Sequence, residues 1–315
     1  MRRCWLSALA ALALVAPGTG TGAAAAAEDG PALSVTEERL AASLACPPTF
    51  KPDRDPVLLV HGTATNSRDS WSESYVRVLP PLHFSVCTVD LPDRSLSDIQ
   101  IATEYVVHAV RSMAAASGRQ VDVIGHSQGT LEMRWALRWW PDVRRHVDDA
   151  ISLAGPHHGA SGADQFCPLD SCPPAVHQMR PPARFLNVLN SHDETPGDVD
   201  HTSVFSANDE LVQPPRSASL DGAVNVLVQD LCPGRPVHHG ALLYDAVVFA
   251  IVLDALSNPG PADLSRFDPT TCHAAWMPGM TEPVTTNVIL YGGAFLAVAR
   301  HYKTSEEPPL APYAR

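Results

Sequence analysis

Short uninterrupted apolar runs alternate along this chain with longer segments whose apolar positions recur every third or fourth residue. Val57-Leu58-Leu59-Val60, entered from Pro56, is apolar at every position, the pattern of a strand buried on both faces. Phe84 to Val89 predicts a second strand, Val121 to Ile124 a third and Ala150 to Ala154 a fourth. Between them, Ile101, Tyr105, Val106, Ala109, Val110 and Met113 share one face of a helix predicted from Ile99 to Ala116. A second helix is predicted from Thr130 to Trp140, stopped at Pro141. Thr202 to Ser206 and Ala223 to Val228 read as further strands, and Ala241 to Leu256 and Val284 to Tyr302 as further helices. This alternation predicts the α/β class, a mostly parallel, doubly wound sheet with helices on both faces.

The pattern breaks in three places. Glu28 to Lys51 is a polar, then proline-rich arm, and Pro308 to Arg315 reads as a tail laid over the surface. Between Gly155 and His201, prolines, clustered histidines and two cysteines replace the regular periods, with one helix expected near Ala183 to Asn190. A long irregular stretch in a compact domain usually carries function. This one follows the strand after Ser127 and is expected to overhang the site.

Length and composition suit a globular protein, with residues 28–315 expected to form one domain that carries the insertion at about 155–201. The net charge of −12 and the lack of a Lys/Arg stripe exclude nucleic acid as an expected partner, and disfavour a polyanionic substrate. Residues 1–27 read as a secretory signal: Arg2 and Arg3, an apolar core from Trp5 to Pro17, then small residues up to Ala27. Arg2-Arg3 suits the general exporter or the twin-arginine one, and the apolar run is too short for a good membrane anchor. Loss of Cys4 with that signal leaves Cys46, Cys87, Cys167, Cys172, Cys232 and Cys272, an even set that reads outside the cell as disulfides. Cys167 and Cys172 form the simplest local pair. The rival is a metal knuckle with His157, His158 and His177, but the cysteine spacing is wide and no second cysteine pair follows in that segment.

The candidate chemistry lies in Gly125-His126-Ser127-Gln128-Gly129, between a buried strand and a helix. On an arbitrary surface turn these five residues would carry no chemistry; in this context they form the sharp elbow that exposes a nucleophilic serine. A serine hydroxyl needs a histidine to take its proton and a carboxylate to hold that histidine. In doubly wound hydrolases the acid and then the base follow the serine, each at the carboxyl end of a strand. Asp209 stands in the right place after Thr202–Ser206, with Glu210 as the neighbour that could be mistaken for it. The base is His238 or His239, after the next strand. The oxyanion donors are expected from the backbone of Gln128 and from Thr63, which offers N–H and hydroxyl. His157-His158 reads as wall of the site.

With these residues placed, the chain resembles the Candida antarctica lipase B family and its secreted actinobacterial relatives, from about Cys46 to the end. The resemblance is carried by Val57-Leu58-Leu59-Val60-x-Gly62-Thr63, by Ser127-Gln128-Gly129, by the closing Leu310-Ala311-Pro312-Tyr313-Ala314-Arg315 and, most specifically, by Phe205-Ser206-Ala207-Asn208-Asp209-Glu210-Leu211-Val212-Gln213-Pro214. Leu153-Ala154-Gly155-Pro156-His157-His158-Gly159 is closer to other bacterial lipases, and Gly125 departs from the yeast enzyme. The resemblance implies the α/β-hydrolase fold, supports Asp209 over Glu210, and implies the pairs Cys46–Cys87 and Cys232–Cys272. It leaves Cys167–Cys172 as a local addition. A family spacing to the apolar pair Leu242-Leu243 selects His239; a family His-x-Gly would select His238.

The expectation is therefore a secreted serine carboxylic-ester hydrolase, first a lipase, with Ser127, His239 and Asp209 as triad and Thr63 and Gln128 as oxyanion hole. A short-chain esterase, a polyester hydrolase or an acyltransferase on the same triad is the alternative, and an idle binding protein the remote one. No metal or organic cofactor is required. The expected partners are an acyl-ester or lipid substrate and, transiently, a lipid surface met by a monomer. The apolar walls are expected from the insertion and from Val247, Val248 and Ile251.

Overall fold

The computed structural model describes residues 29–167, 171–280 and 303–315. The expected signal segment and the helix expected from Val284 to Tyr302 lie outside them. The described residues build one seven-stranded sheet from β1 (Leu44–Ala45), β2 (Val57–Val60), β3 (Val86–Val89), β4 (Val121–His126), β5 (Val147–Leu153), β6 (Asp200–Phe205) and β7 (Val224–Leu227). Their order is β1-β3-β2-β4-β5-β6-β7. Only β1 runs antiparallel, against β3; every other pairing is parallel.

Alternate residues of the central strands feed two cores. Leu58, Val60, Val121 and Val123 join one core with the helices Ile99–Ser117 and Gly129–Trp139, whereas Val57, Leu59, Ile124 and Ile151 join the other with Trp71, Tyr75 and the helix Ala246–Ala255. Burial on both faces explains why β2 is apolar throughout. Ile101, placed on the buried face by periodicity, is 40% exposed; Tyr105, Val106, Ala109, Val110 and Met113 are buried as expected.

Several elements depart from the expected pattern. The amino-terminal arm holds a helix, Glu37–Ser43, and the edge strand β1. Pro141 ends the helix before it and opens the next, Pro141–His146, because a missing N–H costs nothing in a first turn. Among the described residues the insertion holds two short α-helices, Pro174–Met179 and Arg184–Leu189, and a 3-10 turn, Ser161–Phe166, where one helix was expected. The helix expected from Ala241 to Leu256 is split into a 3-10 turn, His239–Leu243, and the helix Ala246–Ala255. Asp245 makes the break: its side chain accepts from the N–H of Val247 and Val248, and its other oxygen pairs with Arg235 at 2.7 Å. Val247, Val248 and Ile251 are buried in the second core. The tail lies over the surface and is anchored there: Tyr313 packs edge-on against Trp139 and Trp140 and accepts from Trp135 Nε1 at 3.1 Å. Cys46–Cys87, Cys167–Cys172 and Cys232–Cys272 are joined as disulfides.

Candidate active site

Ser127 follows the carboxyl end of β4 with φ +54°, a left-handed conformation that a side chain adopts only against strain. Local bonds hold it there. Its N–H donates to the Leu153 carbonyl at 2.8 Å, and its carbonyl accepts from the Thr130 N–H at 3.1 Å and hydroxyl at 2.7 Å. The turn is possible because a Cβ on Gly129 would lie 2.5 Å from the Val60 carbonyl oxygen. The loop after β2 is equally tight: a Cβ on Gly62 would meet Ser127 Cβ at 2.9 Å. The loop carrying Thr63 thus passes directly against the predicted nucleophile.

His61 straps that loop in place. Its Nε2 accepts from the Leu91 N–H at 2.9 Å, so the proton sits on Nδ1, which donates to the Gly62 carbonyl at 3.0 Å. Burial pushes its pKa down, consistent with a neutral ring. Arg94 Nε donates to the carbonyl of Ala64 at 2.9 Å, and the same guanidinium pairs with Asp69.

Beyond β6, Asp209 is buried, and its Oδ1 accepts from the N–H of Leu211 at 2.8 Å and of Val212 at 2.9 Å. Its Oδ2 lies 2.8 Å from His239 Nδ1. Burial alone would raise this carboxyl, but the His239 imidazole and the two backbone donors hold it below the ordinary carboxylate range. An ionised Asp209 only accepts, so Nδ1 carries the proton and His239 keeps Nε2 as its acceptor. The adjacent histidine is placed quite differently: the His238 side chain is 69% exposed and lies 3.7 Å from Glu210. Glu210 also accepts from the His239 N–H at 3.0 Å, which makes it a brace for the loop and leaves the imidazole to Asp209.

His126 joins the two halves. Its Nε2 donates to the His239 carbonyl at 3.2 Å, and the two ring centroids are 5.0 Å apart. Burial first, and His239 second, push its pKa down to about 3, so the ring is neutral. On the other side of Ser127, the Thr63 hydroxyl donates to Gln128 Oε1 at 2.7 Å, and Gln128 Nε2 donates to Glu132 Oε1 at 2.7 Å. Met179, from the insertion, brings its sulfur within 3.9 Å of Thr63 Oγ1, so this part of the insertion does reach the site.

The structure therefore brings Thr63 to Gln128 and Asp209 to His239, and sets His239 beside the residue preceding Ser127. His157 is fully buried, and His158 turns to Glu194 at 2.8 Å. His61, Arg94, His126 and Glu132 were not anticipated. Two of them adjoin the motifs, and Glu132 carried a signal in the sequence, a carboxylate one turn beyond Gln128 at the start of a mostly buried helix.

This chain is 30% identical to lipase B of Pseudozyma antarctica over 296 residues, which span 90% of the chain and 86% of that protein. The chain belongs to the lipase B family. The crystal structure of Aspergillus fumigatus lipase B superposes with a TM-score of 0.82 at 31% identity, covering 91% of this chain and 74% of that one. The palmitoyl protein thioesterase family matches residues 56–197, the segment from the start of β2 through most of the insertion. A Bacillus licheniformis lipase in its propeptide form shares the fold alone, with a TM-score of 0.53 at 17% identity over 70% of this chain and 54% of that one. The lipase B fold is thus the α/β-hydrolase fold expected from the strand–elbow–helix pattern.

Proposed function

We propose that this lipase B family member is a secreted serine ester hydrolase, a lipase, working through Ser127, His239 and Asp209. Membership of the family assigns the chain to carboxylic-ester hydrolysis, and the residues give that activity a mechanism. His239 Nε2 takes the Ser127 hydroxyl proton as the oxygen attacks the ester carbonyl. Asp209 keeps the proton on Nδ1 and stabilises the imidazolium that forms. The backbone of Gln128 and the N–H and hydroxyl of Thr63 receive the oxyanion. His239 then protonates the leaving alcohol, and water repeats the sequence on the acyl-enzyme. The observation that carries this reading is the buried 2.8 Å contact of His239 with Asp209, set beside the elbow in which Ser127 is strained. Export is supported by the three disulfides, which persist in oxidising compartments, and by the signal-like residues 1–27.

The test is hydrolysis of p-nitrophenyl esters of increasing chain length, with fluorophosphonate labelling of the folded protein. Ser127→Ala is expected to abolish labelling and to lower turnover by roughly 10⁶-fold. Preference for long acyl chains supports a lipase and preference for short ones an esterase. Wild-type turnover in Ser127→Ala would remove the elbow from the chemistry.

A further inference from the structure

We propose that Glu132 is a positioning residue of the oxyanion hole: its protonation sets the orientation of the Gln128 amide and thereby releases or withholds the Thr63 hydroxyl hydrogen. The inference rests on the reading of Thr63 as an oxyanion donor.

Glu132 is fully buried in the first turns of the helix that follows Ser127. Its Oε1 accepts from Gln128 Nε2, and among the described residues its Oε2 has no hydrogen-bond partner. Gln128 in turn offers Oε1 to the Thr63 hydroxyl. These three side chains form one line from the helix interior to the loop beside Ser127, and its polarity is decided at the Glu132 end. An ionised carboxylate only accepts. It compels Gln128 to turn its NH₂ inward and its carbonyl toward Thr63. The Thr63 hydroxyl hydrogen is then committed to Gln128 and unavailable to an oxyanion, the arrangement seen here.

A neutral carboxyl reverses the line. A proton on Oε2 would have no acceptor, and a buried donor left unpaired is costly. A proton on Oε1 faces Gln128, whose amide must then turn its carbonyl inward. The NH₂ group now donates to Thr63 Oγ1, and the hydroxyl hydrogen is free to point at the substrate oxygen. No bond to carbon changes; one amide rotates and one proton is gained. Burial is the main influence on this carboxyl and pushes it up to about 8, opposed by the Gln128 amide and by its own backbone N–H. No charged group among the described residues contributes to that shift. The neighbours given by the surrounding elements are uncharged: Thr103, from the helix Ile99–Ser117, reaches the Glu132 carbonyl at 3.5 Å, and Thr63 and Met179 close the line at its outer end. Below about 8 the neutral form and the released hydroxyl prevail; above it the hydroxyl is withheld.

The experiment is kcat and KM for a soluble p-nitrophenyl ester on both sides of that pH, for the wild-type chain, Glu132→Gln, Thr63→Val and Ser127→Ala. The wild type is expected to lose kcat on the alkaline side by up to about 100-fold, the cost of one oxyanion donor, with KM unchanged. Glu132→Gln, which cannot ionise, should keep the low-pH rate and lose the alkaline fall. Thr63→Val should be slower throughout and also lose it. Persistence of the fall in either variant, or a wild type without one, overturns the inference. If Glu132→Gln does not fold, the comparison of wild type with Thr63→Val still decides. Activity surviving in Ser127→Ala would instead overturn the functional reading, so the two failures are distinct.

Discussion

The two ends of the parallel sheet hold the same chemical group in opposite states. At the carboxyl ends, Asp209 is buried among donors: two backbone N–H groups and an imidazole converge on it and keep it ionised. At the amino ends, Asp55 precedes β2, Asp122 lies in β4, Asp148 and Asp149 in β5, and Asp200 opens β6. Carboxylate oxygens of Asp55, Asp122 and Asp148 lie within 4.8 Å of one another, and only Asp55 among these three has a guanidinium partner, Arg119 at 2.7 Å. Burial, then the neighbouring acids, push Asp149 up to about 8, and its Oδ1 has no hydrogen-bond partner among the described residues. Asp122 is pushed up for the same two reasons. Burial acts upward on Asp122, Asp149 and Asp209 alike; what separates the ends is whether donors or like charges face the buried oxygen. One end is built for a charge that does work on His239. The other tolerates protonated acids.

Exchanging each acid for its amide breaks this comparison. The largest effect is expected from Asp209→Asn, which leaves the shape but reverses the tautomer of His239; kcat for ester hydrolysis should fall by about 10⁴-fold. A loss of less than about tenfold would mean that another acid orients the base.

Asp149→Asn should leave kcat unchanged and act on stability. The folded protein holds the Asp149 proton up to about 8, whereas the unfolded chain releases it near 3.8. Between those values the folded state binds more protons, so stability falls as pH rises, and the loss is complete above about 8. The amide removes that term. Thermal melts should show the variant gaining on the wild type as pH rises, by on the order of 2–4 °C per kcal/mol relieved. Asp209 has the opposite sign. Its depressed carboxyl contributes stability present above its unfolded value and lost as pH falls through the folded one. Parallel curves for wild type and Asp149→Asn would remove the contrast.

The smallest effect sharpens the carboxyl end. His238→Ala, at the exposed histidine, should change kcat by less than about threefold, whereas His239→Ala should cost several orders of magnitude.

Much of the fold was legible because the buried parallel strands carry short apolar runs, such as Val57–Val60, and the helices between them carry a longer period. The misses come from two causes, brevity and local capping. The strand Leu44–Ala45 is too short to carry a period, and its pairing with β3 is a tertiary fact. Pro141 reads as a stop when the following turn is not seen, and Asp245 divides one apolar run by capping its second half.

The chain by itself determined the elbow, because the strand, the Gly-x-Ser-x-Gly turn and the helix are adjacent in sequence. That the loop after β2 faces Ser127 was decided by the tertiary structure. Family spacing to Leu242-Leu243 favoured His239 over His238, but only the tertiary structure gave it a carboxylate, met across 30 positions of chain. Only the tertiary structure joined Thr63 to Gln128 and Glu132, because hydrogen bonds between distant loops leave no period in a sequence and are decided by which polar atoms burial has left to find one another.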